Sequence, residues 1–130
     1  FICIASEWEQ VARWVAVPAE ERMQQVFNTW PGPTTWLFAA SQECPRSIIG
    51  PEEKLALRIP GHVLARKVCH VVGPLISTSA NVAGELPLRT AEAVIEKYAT
   101  KGVYVVKGIV GSAENVSKIV DVLTGVVHRL

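Results

Sequence analysis

The stretch Gly73-Pro74-Leu75-Ile76-Ser77-Thr78-Ser79-Ala80-Asn81 sets three small hydroxyls and an amide directly after a short apolar run. Leu75-Ile76 reads as the end of a buried strand launched by Gly73-Pro74, and Ser77, Thr78, Ser79 and Asn81 fall where open α/β sheets place their ligands. Hydroxyls and exposed backbone N–H groups suit phosphate oxygens, and the same residue types also close ordinary turns by bonding their own backbone. A second stretch, Leu55-Ala56-Leu57-Arg58-Ile59-Pro60-Gly61-His62, puts Leu55, Leu57 and Ile59 on one face of a strand and Ala56 and Arg58 on the other. Arg58 therefore lies opposite the packed face, at the strand's C-terminal end. A lone arginine in a strand is commonly a solvated surface residue, but this one has small or apolar neighbours and can clamp a carboxylate or phosphate with its forked donors.

The elements around these strands follow from periodicity and punctuation. Phe1 to Ala5 is an apolar strand pattern. Ser6-Glu7-Trp8-Glu9 has the spacing of a capping box, and Trp8, Val11, Ala12 and Val15 then share a helical face, so a helix is expected as far as Val17-Pro18. Pro18, with Glu20 and Glu21 in the first turn, opens a second helix to about Phe27, offering Met23, Val26 and Phe27 to a core. Trp30-Pro31-Gly32-Pro33 forces a turn before a strand over residues 34–40, and residues 62–72 return to helix, closed by Gly73. Thr90 caps a helix over residues 90–98 with Ala91, Val94 and Ile95 as its buried stripe. Gly102 ends that segment, residues 103–106 read as a strand, and strands over 117–122 and 126–130 pair around Leu123-Thr124-Gly125. Interleaved strands and helices with tight connections give an α/β class in the broad sense (α+β), a single domain over residues 1–130 built on a mixed sheet with flanking helices.

Thirteen basic against twelve acidic residues leave a formal charge of +1, which argues against a chain-wide attraction to nucleic acid while leaving room for a local patch. Cys3, Cys44 and Cys69 are odd in number and lack paired spacing, so a disulfide framework is not expected and a reducing, cytoplasmic setting is. No apolar run approaches the ~18 residues of a membrane span. Nor does any CxxC or HxxxH spacing support a metal site, since the adjacent Cys69 and His70 point apart on a helix. His62 follows a Pro-Gly turn and reads first as a helix-start residue, and second as a cleft residue. Asp121 is the single aspartate, placed in an apolar strand with no serine–histidine arrangement around it, so no catalytic nucleophile is assigned. Arg89 divides between a helix-flanking charge and a phosphate contact, and Ser117 and Arg129 between sheet-edge residues and nucleotide contacts. Trp14, Trp30 and Trp36 are dispersed rather than interleaved with cations, and read as packing.

Pro31-Gly32-Pro33 with Thr35, the Leu57-Arg58-Ile59-Pro60 strand with His62, and Ser77-Thr78-Ser79-Ala80-Asn81 with Gly84 occur in the order and spacing of the YrdC-like family, the threonylcarbamoyl-AMP synthases (TsaC in bacteria). Ser117 to Asp121 and His128-Arg129 look like that family's closing strands, so the resemblance runs over essentially the whole chain. It implies a twisted mixed sheet around a concave cleft. The implied activity condenses L-threonine, bicarbonate or CO2, and ATP into threonylcarbamoyl-AMP and pyrophosphate, for threonylcarbamoyladenosine in tRNA. By resemblance, Arg58, Ser77 and Thr35 serve threonine, and Ser79, Asn81, Ser117 and Arg129 serve ATP, with Mg2+ accompanying the triphosphate. The implied partners are the downstream proteins TsaB, TsaD and TsaE, and tRNA or double-stranded RNA. The family's lysine-x-arginine signature and early threonine have no counterpart here, since no lysine is followed two positions later by arginine. The chain accordingly resembles the C-terminal two-thirds of a member, an N-terminally incomplete domain. Other activities weighed are a non-enzymatic RNA-binding module, an inactive remnant, and the carbamoyl-adenylate domain of hydrogenase maturation.

Overall fold

Leu55 and Leu57 are buried while Lys54, Ala56 and Arg58 are half-buried, the period-two pattern of a strand with one packed face. The computed structural model describes residues 1–78, 84–86, 88–106, 108 and 117–129, and the chain divides into one unit of Phe1–Ser77 with Glu114–Leu130 and a second of Thr78–Ala113. In the first unit that strand is β3 (Lys54–Arg58). It joins β1 (Ile2–Ile4), β2 (Thr34–Ala39), β4 (Leu75–Ser77), β5 (Lys118–Asp121) and β6 (Val127–Arg129) in the order β4-β1-β3-β2-β5-β6. β1 runs parallel to β3 and β2 parallel to β5, whereas the β1–β4, β2–β3 and β5–β6 pairs are antiparallel. The sheet is therefore mixed, as the sequence indicated.

Register fixes which residues share a face. Cys3, Leu57, Trp36 and Val120 form one lateral row, and all four are buried. The next row, Ser77, Ile2, Ala56, Leu37 and Asp121, crosses five strands and looks the opposite way. The buried core joins the first row to Met23 and Val26 of α1 (Glu20–Thr29) and to Phe38 and Trp30, whose ring centroids lie 6.2 Å apart with Trp8 close to both. α2 (Val63–Val72) begins at His62, whose Nδ1 accepts the Ala65 N–H at 3.4 Å, and ends at Gly73, whose φ of 93° suits glycine. Cys3, Cys44 and Cys69 are free and buried, and burial first, then the neighbouring Cys69 and Cys44, pushes the Cys3 thiol up to about 11.

Five local expectations are corrected. The helix expected from Ser6 is two 3-10 turns, Trp8–Gln10 and Ala12–Trp14. Gln10 is drawn away by tertiary bonds, its Oε1 accepting the Ser6 N–H at 2.9 Å and its Nε2 donating to the Cys69 carbonyl at 3.0 Å, and Val15 bridges to Ala40 as extended chain. Phe27 is 44% exposed and touches the Trp8 ring edge-on, leaving Met23 and Val26 as the buried stripe of α1. β4 lies at the sheet edge, so Leu75 and Ile76 are exposed rather than buried. In the second unit α3 (Ala91–Tyr98) is capped as expected, the Thr90 hydroxyl accepting the Ala93 N–H at 3.1 Å, but none of its residues is fully buried and Ile95 is exposed. Residues 103–106 form no strand: without a ladder partner among the described residues, β-propensity alone does not make one.

Candidate functional site

Arg58 ends β3 on the face away from the core, where alternation also places Thr35, Ser77, Ile119 and Asp121. Its Nε donates to the Gly32 carbonyl at 2.8 Å, and the Gly32 N–H donates to the Ile59 carbonyl at 2.9 Å. Both polar backbone groups of Gly32 are thus spent on the end of β3, one on the chain and one on the side chain. Only glycine fits there, since a Cβ would stand 2.3 Å from the Thr29 carbonyl oxygen. With Nε held, the guanidinium plane is set, and among the described residues Nη1 and Nη2 have no hydrogen-bond partner. Burial lowers the Arg58 pKa from its ordinary value, the signature of a cation that has already lost part of its hydration.

Across β2, the Thr35 hydroxyl donates to Ser117 Oγ at 2.9 Å, and Arg129 on β6 donates Nη2 to the same oxygen at 3.1 Å and Nε to the Ser117 carbonyl at 3.0 Å. Three residues singled out separately in the sequence therefore form one hydrogen-bonded chain. Thr35 and Ser117 are both buried, so Thr35 is a packed hydrogen-bond partner of Ser117 rather than part of an open wall. Ser77 shares the face from the edge strand β4, opposite Ile2, with β1 standing between it and β3. Ser79 and Asn81 lie outside the described residues. His62 caps α2, Arg89 is exposed, Trp30 and Trp36 are core residues, and Trp14 is half-buried beneath the Arg13 guanidinium.

Asp121 is the member of this face that sequence reasoning passed over. It is 2% exposed; Oδ2 accepts from Lys54 Nζ at 2.6 Å, and Oδ1 accepts the N–H groups of Leu123 and Thr124 at 2.9 and 3.0 Å. Burial alone raises its pKa, but the Lys54 hydrogen bond, the two amides and the Lys54 charge together hold it below the usual carboxylate value. The signal was present: a lone aspartate two to four residues ahead of Leu123-Thr124-Gly125 is the pattern of a side chain closing a turn on its own backbone. Its charge is matched by Lys54, while among the described residues neither Arg58 nor Arg129 has a carboxylate partner. The uncompensated charge on this face is positive, carried beside hydroxyls. Such a surface can position and stabilise negative charge, and among the described residues it holds no nucleophile–base pair. Among the described residues no group of three histidine, cysteine, aspartate or glutamate side chains could hold a metal, and no helix is long and apolar enough to cross a membrane.

The fold is thus an α+β domain whose mixed sheet carries two arginines on one face. The Sua5/YciO/YrdC family model, described as telomere recombination, matches residues 1–130, and the chain belongs to this family. It is 40% identical over 131 residues to the threonylcarbamoyl-AMP synthase of Coxiella burnetii, covering 100% of this chain and 70% of that protein. With the threonylcarbamoyl-AMP synthase of Yersinia enterocolitica it shares 39% identity over 127 residues, 95% of this chain and 66% of that one. The P. abyssi Sua5 structure complexed with L-threonine superposes with a TM-score of 0.81 at 27% identity, over 92% of this chain and 36% of that chain. This chain thus spans about a third of that Sua5 chain. The E. coli YciO structure shares the fold, with a TM-score of 0.81 at 20% identity.

Proposed function

We propose that the protein is a threonylcarbamoyl-AMP synthase, condensing L-threonine, bicarbonate or CO2, and ATP into threonylcarbamoyl-AMP and pyrophosphate. The observation that carries this reading is the Arg58 guanidinium, desolvated and oriented by Gly32, on the sheet face that also holds the Thr35–Ser117–Arg129 chain. It is supported by 40% identity along the whole chain to a synthase of that name.

The reaction needs no protein nucleophile. The threonine amine attacks CO2 and loses a proton to give a carbamate, and a carbamate oxygen then attacks the α-phosphorus of ATP as pyrophosphate leaves. What the protein supplies is alignment and compensation of negative charge. Arg58 pairs with the threonine carboxylate, and Ser77 lines the amino-acid side. Ser117 and Arg129 serve the nucleotide, with Ser79 and Asn81 at its phosphates or ribose. Thr35 acts from behind, donating to Ser117 so that its lone pairs and the Arg129 fork keep one arrangement. Asp121 is committed to Lys54 and two amides, and Mg2+ arriving with ATP would be held chiefly by phosphate and water oxygens. The product is passed on in the cytoplasm to TsaB, TsaD and TsaE for attachment to tRNA. The test is pyrophosphate release by the full-length protein with each substrate omitted in turn. Release should require threonine and bicarbonate as well as ATP, and equal release without threonine would overturn the assignment.

A further inference from the structure

A groove of about 420 Å³ lies between α2 and the segment that leaves β1, and it shares no residue with the Arg58, Thr35, Ser117 and Arg129 face. Its lining includes Ser6 and Glu7 from the segment and Arg66, Lys67 and His70 from the helix. Two of its polar atoms, Ser6 Oγ and Arg66 Nε, are buried and have no hydrogen-bond partner among the described residues. Arg66 Nε can only donate and so lacks an acceptor, while the Ser6 hydroxyl can donate or accept and is able to donate to the same group. Buried donors left this way are the exception in folded proteins and ask for an explanation.

The two walls are fastened to each other. Gln10 accepts the Ser6 N–H and donates to the Cys69 carbonyl on α2, which ties the Ser6 backbone to the helix. Lys67 and His70 are exposed, and Val63 and Val71 border the groove with 56% and 82% of their surface open. Glu7 is the single acidic residue of the lining and lies 3.5 Å from His70 Nδ1, which leaves Arg66 and Lys67 as cations without a carboxylate partner among the described residues. Fixed donors lacking acceptors, a second cation beside them and apolar flanks match an oxyanion attached to a larger body. A nucleotide phosphate has that chemistry, with its sugar resting against the valines.

We propose that this groove is a second phosphate site, taking the phosphate of a nucleotide on Arg66, Ser6 and Lys67. The probe is AMP, titrated calorimetrically into the full-length protein, with inorganic phosphate and a short single-stranded RNA as parallel arms. Arg66→Met should weaken this binding roughly tenfold or more, as expected for a charge-assisted bond lost, and the same loss should appear in an Arg129→Ala background, where the nucleotide side of the sheet face is disabled. Glu7→Gln, a mild surface change that tests the site even if Arg66→Met fails to fold, should tighten it by about two- to threefold by removing an exposed opposing charge. AMP binding tighter than inorganic phosphate supports a nucleotide, and RNA that displaces AMP in an Arg66-dependent way makes a nucleic acid the source of that phosphate. No AMP binding that survives in the Arg129→Ala background, or affinity unmoved by both Arg66→Met and Glu7→Gln, would overturn the proposal.

Discussion

Replacing Arg58 by alanine in the full-length protein should weaken threonine binding about 30- to 150-fold. An exposed ion pair contributes at most about 1 kcal/mol, whereas truncating one partner of a desolvated, hydrogen-bonded charge pair costs about 2 to 5 kcal/mol. Arg58 lies between these limits. It is half-buried and its pKa is lowered by burial, so it approaches the ligand with part of its hydration already removed. Its Nε is held at 2.8 Å by Gly32, so little rotamer freedom is left to lose on binding. A value of about 2 to 3 kcal/mol follows, which is the stated fold-change. Arg58→Lys should recover only part of it, because a point charge replaces the fork and the bond to Gly32 is lost. Calorimetric titration with threonine reads the affinity, and circular dichroism confirms that each variant is folded. A folded Arg58→Ala protein with unchanged threonine affinity would refute the assignment of this side chain.

Gly32→Ala should reproduce part of the Arg58→Ala loss, since the new Cβ 2.3 Å from the Thr29 oxygen forces the turn to move and takes the carbonyl away from Nε; a threonine titration with unaltered affinity would contradict this coupling. Thr35→Val, nearly isosteric, removes the donor to Ser117 and should cost about 1 to 2 kcal/mol of stability by denaturant unfolding, and the freed Ser117–Arg129 pair should raise the ATP requirement more than the threonine requirement. Asp121→Asn should destabilise the fold by about 2 to 4 kcal/mol at neutral pH through weakened bonds to two amides and a lost charge. Because the folded pKa of Asp121 lies below the unfolded value near 3.9, its contribution is complete above about pH 4 and is lost as pH falls through the folded pKa. The gap between wild type and Asp121→Asn in urea unfolding should therefore narrow only under acid conditions, and a gap that widens on acidification would contradict the pairing.

Much of this arrangement was legible in local patterns. The alternation over Leu55 to Ile59 assigned the faces of β3 correctly, and the caps at His62 and Thr90 and the Gly73 stop marked their helices, because these features depend on neighbours within a few residues. What failed depended on distant partners. The spacing of Ser6 to Glu9 supports a helix only if Gln10 stays local, and it bonds Cys69 instead, 59 positions away. The exposure of Leu75 and Ile76 follows from strand order, with β4 at the edge beside β1, and no feature of those two residues reports that order. The candidate site was named residue by residue, but its connectivity was not. Thr35 and Ser117 are 82 positions apart, and only the parallel pairing of β2 with β5 makes them neighbours. Likewise the Lys54–Asp121 pair, 67 positions apart, joins β3 to β5 across β2, and neither residue alone revealed that the single aspartate is neutralised.

The most direct test of the synthase assignment is to identify the product. Full-length protein incubated with ATP, Mg2+, L-threonine and isotopically labelled bicarbonate should yield threonylcarbamoyl-AMP by mass spectrometry, with the label in the carbamoyl carbon and pyrophosphate in equal amount, and Arg58→Ala should suppress both together. Pyrophosphate accompanied by an adenylate that carries no bicarbonate label, or no labelled adenylate from folded, threonine-binding protein, would contradict the account.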